Sequence, residues 1–230
     1  MISLTPDECR VLGVLIEKEL TTPEQYPLTL NALVNGCNQK NNREPVVSFD
    51  DDRTQDAVDS LREKGLLVRV DQHGSRVPKF RHEATGKLQL DRFQLVILAE
   101  LLLRGPQTLG ELRGRASRMH RLDSMEIVKE SLGKLMNREE PLAREVSPSP
   151  GSRAERYGQL LCPDAHPIDV TASAGAEVER AGASDMPSNR SLTQRVEELE
   201  RQVATMRGVM SRMAQALGEP DPFSQETPKG

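Results

Sequence analysis

Along the first 160 residues the apolar positions recur at helical spacing three times and then at strand spacing, and this order runs through the chain twice. Leu12, Leu15, Ile16 and Leu20 fall at i, i+3, i+4 and i+8. Before them stand Leu4, a candidate staple, and Thr5-Pro6-Asp7-Glu8, an N-cap with a proline at the first helical position and a glutamate at the third. A helix is predicted from Pro6, ended by Thr21-Thr22-Pro23. Leu30, Leu33, Val34 and Cys37 predict a second helix over 26–39, with Gly36 as a candidate break. The acids Asp50, Asp51 and Asp52 suit the positive end of a helix dipole, Ala57, Val58 and Leu61 share one face, and Gly65 is a left-handed stop. These predict a third helix over 50–64. Leu66-Leu67-Val68-Arg69-Val70 then reads as a strand and residues 71–75 as a turn. Residues 77–81 return as a strand that Pro78 would confine to a sheet edge.

The second run is a diverged copy. Leu90-Asp91-Arg92-Phe93 repeats the pattern of Leu4-Thr5-Pro6-Asp7, and Val96, Ala99 and Leu103 carry a helix to Gly105-Pro106. Thr108-Leu109-Gly110-Glu111 opens a second helix through Leu112 and Ala116, and a third over 124–137 buries Ile127, Val128, Leu132 and Leu135. Strands over 142–146 and 154–160 flank the turn 147–152. Three helices followed by a two-stranded ribbon describe a winged helix-turn-helix. The fold predicted is mostly α with small β-hairpins (α+β): two tandem winged helix-turn-helix domains over 1–86 and 87–163. After them come a flexible linker over 164–190, a C-terminal coiled-coil helix over 191–218 and a disordered tail over 219–230.

The coiled-coil expectation rests on Leu192, Val196, Leu199, Val203, Met206, Met210, Met213 and Leu217, which alternate in steps of four and three residues after an N-cap at Ser191. Valines at two a positions favour a parallel homodimer. The other reading is an amphipathic helix that folds back on its own domains or lies on a membrane surface, since methionines specify packing poorly.

Composition narrows the setting. The chain has 230 residues, no tryptophan and 3% aromatic residues, so aliphatic side chains must build its cores. Cys9, Cys37 and Cys162 have no ligand-like spacing and no signal peptide precedes them, which predicts a reducing cytoplasm without disulfides. The run from Leu95 to Leu103, broken by Glu100, is far short of the about 20 residues of a membrane span.

A net charge of −4 hides an uneven distribution: 11 bases against 14 acids over 1–86, 13 against 10 over 87–160, and 7 against 11 beyond. The basic excess of the second copy lies in Arg113, Arg115, Arg118 and Arg121, with Arg144, Arg153 and Arg156 on its wing. The first wing adds Arg69, Arg76, Lys79 and Arg81. Together they form a candidate phosphate footprint for double-stranded DNA. A solvated surface, or a partner for the acidic first-copy helix, explains the same arginines. That helix, over 50–64, carries six acids against three bases, and phosphate would repel it. Asn31, Asn35, Asn38 and Asn42 form a polar stripe that Gln39, Lys40 and Arg43 continue. It is either a ligand patch of amides and cations or a set of caps ordering a long loop.

The four histidines are scattered without metal spacing, and no phosphate loop, nucleophile elbow or carboxylate pair is present, so neither an enzyme, a cofactor nor a metal is expected.

The stretch Tyr26-Pro27-Leu28-Thr29-Leu30-Asn31-Ala32-Leu33-Val34-Asn35-Gly36-Cys37-Asn38-Gln39-Lys40 and its continuation Asn42-Arg43-Glu44-Pro45-Val46 resemble the YceH-like family of uncharacterised bacterial proteins. Leu61-Arg62-Glu63-Lys64-Gly65-Leu66 and Ser75-Arg76-Val77-Pro78-Lys79-Phe80 match it too. The resemblance covers about residues 3–163 and implies tandem winged-helix domains in a bacterial cytosol, with no catalytic residues. The expectation is a non-enzymatic DNA-binding regulator or DNA-associated factor. Its rival is a protein-interaction scaffold that grips a partner chain.

Overall fold

In the computed structural model of the chain, residues 2–71, 77–148, 152–166 and 211 are described. They form a mixed α+β fold whose element order repeats. The first copy runs α1 (Pro6–Thr21), β1 (Leu28–Thr29), α2 (Leu30–Cys37), α3 (Asp51–Glu63), β2 (Leu67–Val70) and β3 (Lys79–His82). A single helical turn, α4 (Ala84–Lys87), leads into α5 (Arg92–Arg104), β4 (Gln107–Thr108), α6 (Leu109–Ala116), α7 (Met125–Met136), β5 (Ala143–Val146) and β6 (Arg156–Gln159). Each copy closes a small antiparallel sheet of the same topology, β1-β3-β2 in one and β4-β6-β5 in the other.

The helix ends follow from their capping residues. Thr5 accepts from the Glu8 backbone N–H while the Glu8 carboxylate accepts from that of Thr5, and Asp91 and Gln94 repeat the exchange at the head of α5. Asp50 and Ser124 cap α3 and α7. Gly65 ends α3 at φ 70°.

Two expectations need correction. The helix expected over 26–39 is shorter, because Leu28 and Thr29 pair with Phe80 and Lys79 and Thr29 then caps α2. It does not break at Gly36: a Cβ there would sit 2.6 Å from Val14 Cγ1, so the missing side chain is what lets α2 close on α1. The returning strand is central rather than an edge. Pro78 lies just outside the paired residues; Lys79 and Phe80 have strand partners on both sides, and Arg81 and His82 pair with β2.

α1 and α5 form the middle of the fold described by residues 2–166. α1 buries every residue from Glu8 to Glu17 and α5 every residue from Gln94 to Leu103. A helix covered on all sides belongs in an interior. The two pack on each other, with Gly13 admitting Leu103 so closely that a Cβ would meet its Cδ2 at 2.9 Å. One hydrophobic cluster therefore runs from Leu4 to Cys162 across both copies. Backbone bonds from Leu4 N–H to Leu161 O (2.7 Å) and from Glu44 N–H to Leu103 O (2.9 Å) stitch the copies further.

Charges cross the same boundary. Glu17 of α1, 2% exposed, accepts from Arg43 at 2.5 and 3.1 Å and from Arg118 of the second copy. Arg118 reaches on to the fully buried Glu100 at 3.1 Å, and Arg104 lies 3.6 Å from the other Glu100 oxygen. Burial alone would raise the Glu17 carboxyl, but the hydrogen bonds and charges of Arg43 and Arg118 outweigh it and hold the group below its ordinary range.

Removing that carboxylate leaves a buried guanidinium without a counter-charge. Glu17→Gln is expected to cost about 3–5 kcal/mol in urea melts. Because the folded pKa of Glu17 lies below the ordinary value of 4.5, its contribution is complete above that pH and lost as pH falls through the folded value. The stability gap between wild type and Glu17→Gln should narrow only below about pH 4.5, measured by melts across pH.

Candidate functional site

The arginines singled out by charge divide into those committed to the fold and those left at the surface. Arg118 belongs to the buried network described above. Arg113 donates to the Leu122 and Asp123 carbonyls at 3.3 and 3.0 Å and so closes the loop that follows α6. Arg121 is 87% exposed and pairs with Asp123. Arg144 and Arg153 are exposed. In the first copy Lys79 is half-buried and Arg81 pairs with Glu83 at 2.9 Å, while Arg76 lies outside the described residues.

Arg115 and Arg156 are brought together, and with them comes Arg104, which no spacing in the sequence marks. The three guanidiniums line a polar cleft of about 410 Å³ with Glu44, Glu111, Thr108 and Pro106. Arg156 donates to the Pro106 carbonyl at 2.6 Å, Arg115 pairs with Glu111 at 3.0 Å, and Arg104 donates to the Asn42 side chain at 3.0 Å. Glu111 serves α6 as well, accepting from the Thr108 backbone and hydroxyl, and these bonds lower its carboxyl pKa. Cations therefore enter the cleft from the end of α5, the end of α6 and the start of β6.

The asparagine stripe also divides. Asn38 donates to the Phe49 carbonyl at 2.8 Å and accepts from its N–H at 2.7 Å, pinning both ends of the loop 39–49. Arg43 is 4% exposed and satisfied by Glu17, Gln39 and the Gly36 and Asn42 carbonyls. These two side chains are occupied by the fold. Asn31 and Asn35 are exposed and 3.5 Å from one another, and Gln39 and Lys40 are exposed beside them.

The third helix of each copy differs in charge. On α3 and at its C-cap every base is paired: Arg53 with Asp7, Arg62 with Asp59 and Lys64 with the buried Glu8. Asp51, Asp52, Asp56 and Glu63 are exposed with no ion pair among the described residues. α7 exposes Glu126, Lys129, Glu130 and Lys134, two of each sign. Among the described residues no His, Cys, Asp or Glu group is arranged to hold a metal, and no helix is long and apolar enough to cross a membrane. The expected seam positions Leu192, Val196, Leu199, Val203, Met206, Met210, Met213 and Leu217, and residues 167–190 of the expected linker, lie outside the described residues.

Comparison with known proteins identifies relatives. Residues 4–152 match the profile of a family described as protein of unknown function, DUF480. A UPF0502 protein of Koribacter versatilis is 47% identical over 77% of this chain and 81% of its own length. Another from Geotalea uraniireducens is 47% identical over 86% and 87%, and one from Shewanella halifaxensis 42% identical over 89% and 95%.

The division between committed and free arginines has a direct test in chemical denaturation. Arg118→Ala leaves Glu100 buried with one distant cation and should cost about 3 kcal/mol, whereas Arg121→Ala should change stability by no more than about 0.5 kcal/mol.

Proposed function

We propose that this chain, which belongs to the DUF480 family of proteins of unknown function, is a non-enzymatic protein of two tandem winged helix-turn-helix units that binds double-stranded DNA through the second unit. The observation that carries the reading is the convergence of Arg104, Arg115 and Arg156 on one cleft beside the β5–β6 ribbon, in the copy with the basic excess. In this reading the ribbon is the wing, and Arg121, Arg144 and Arg153 extend a cationic surface around it. Phosphate contacts of this kind position a protein on a duplex, and base contacts would have to come from α7, whose exposed face is not repelled. The first unit's α3 is excluded from a groove by its free carboxylates.

Those same carboxylates favour a second reading, in which α3 receives a basic segment of a partner protein. Asp51, Asp52, Asp56 and Glu63 form an acidic surface that nothing else in the described chain neutralises. The proposal also keeps a homodimer formed through the heptad seam Leu192 to Leu217, with the winged units carried in pairs.

The DNA reading is tested by fluorescence anisotropy of a labelled 30-base-pair duplex over a salt series. Wild-type affinity should fall steeply with salt, and Arg121, Arg144 and Arg153 together changed to Ala should flatten the slope of log affinity against log salt by up to about three units. No duplex binding, alongside capture of a lysine- and arginine-rich peptide that is lost on changing Asp51, Asp52 and Asp56 to Asn, would replace it with the protein-partner reading. For the dimer, Leu199→Asp with Val203→Asp should give a monomer by light scattering while the melting temperature of the winged units is unchanged; a variant that stays dimeric moves the interface elsewhere.

A further inference from the structure

Arg10 sits inside α1 between Cys9 and Val11 and is only 4% exposed. One of its terminal nitrogens, Nη2, donates to the Pro45 carbonyl at 2.5 Å. The other, Nη1, is buried and has no partner, and no carboxylate among the described residues pairs with this guanidinium. Burial first, and then the charge of Arg43, pull the Arg10 pKa down, with a smaller opposing influence from the charge of Glu44. A buried guanidinium without a counter-charge is among the costlier arrangements a fold can hold, because desolvation is not offset. Glu17, two turns further along the same helix, already neutralises Arg43 and Arg118, and does not bond to Arg10.

A second orphan group lines the same cavity. His166 bonds through Nε2 to the Glu44 carbonyl at 2.6 Å, and because a carbonyl can only accept, Nε2 carries the hydrogen. In the neutral ring Nδ1 is then a lone-pair acceptor, and it too is buried without a partner. Arg10 and His166 face a cavity of about 350 Å³ whose remaining walls are largely apolar, Pro45, Val47, Phe49 and Leu102. Asp7, Arg53 and Asp164 line it too: Arg53 stacks over the Phe49 ring at 4.2 Å and neutralises Asp7, and Asp164 is exposed. Arg10 and His166, each with one unpartnered nitrogen, thus line the cavity beside apolar side chains and the carboxylates of Asp7 and Asp164.

We infer that this cavity is a binding site for a small organic monocarboxylate with an apolar body. The carboxylate takes Arg10 Nη1, supplying the missing counter-charge, and the planar fork of arginine suits a carboxylate better than a point anion. The body fills the space between Phe49 and Leu102. A hydroxyl or amide hydrogen on the ligand completes His166 Nδ1. The walls come from α1, from the loop leading into α3, from α5 and from the segment that follows β6, so both copies contribute to the site. It is separate from the arginine cleft and independent of any nucleic-acid contact there.

The test uses the full chain with benzoate as the probe, benzamide as its uncharged isostere and inorganic phosphate as an anion without an apolar body. Benzoate should raise the melting temperature by several degrees, with the rise growing as the logarithm of its concentration, and benzamide and phosphate should not. Arg10→Met should abolish the rise while itself melting no lower than wild type, since it removes an unpaired buried charge. In wild-type protein the ring-proton NMR signal of His166, assigned through His166→Asn, should move on benzoate addition while that of His120 stays in place. Equal stabilisation by phosphate, an undiminished benzoate response in Arg10→Met, or an unmoved His166 signal would each overturn the site.

Discussion

Glu17 is held by two arginines from different copies of the repeat, and the arrangement of the molecule depends on that carboxylate being satisfied where it lies. A buried ion network adds little net stability over a hydrophobic core of equal volume, since desolvation consumes most of the Coulombic gain. Its effect is on alternatives. If α1 slid or rotated against α5, Glu17 would lose Arg118 and keep its burial, and every such docking carries the cost of an undercompensated charge. Gly13 acts in the same direction by steric means, because it is the point where Leu103 comes closest. Shape and charge select one register for the central helix pair.

Around that pair the copies have diverged at matching positions. His82 at the end of β3 is bonded on three sides: its N–H donates to the Tyr26 hydroxyl, its Nδ1 accepts from Ala84 N–H, and its Nε2 meets Glu19 at 3.0 Å. Gln159 at the end of β6 instead closes on the backbone of Cys162. Tyr157 stands in the second sheet at the register position of Phe80 in the first, each a core residue, and Arg156 at that of Lys79, each a cation. The scaffold has been retained while the polar surface changed, with free acids gathered on α3 and free bases around β5 and β6.

Much of this was legible in the sequence wherever the determinant is local. Helix starts were readable because Thr5, Asp50, Asp91, Thr108 and Ser124 each cap within three residues of themselves. The 86-residue repeat was readable because the caps recur with it. β1 and β4 were not, since two residues cannot display a period of two, and without them β3 could not be placed in the centre of its sheet. The fate of the arginines was illegible for a related reason. Arg118 finds Glu17 at a separation of 101 residues, so the four arginines of its cluster look alike in sequence while one is structural and another almost wholly exposed. Arg10 was hidden in the same way, since nothing in the pattern of α1 shows that the side opposite its apolar stripe is also covered.

The short passage from β3 through α4 into α5 leaves no slack between the copies, and the packed central helices remove what little a hinge there could provide. Two related surfaces are consequently displayed at one separation and one angular offset. For any target that engages both, the second contact is formed at an effective concentration set by rigid geometry, without the entropy a flexible tether would lose. The same rigidity acts as a ruler: a target whose two features are spaced wrongly can satisfy one surface only, and discrimination between targets then comes from distance as well as from chemistry.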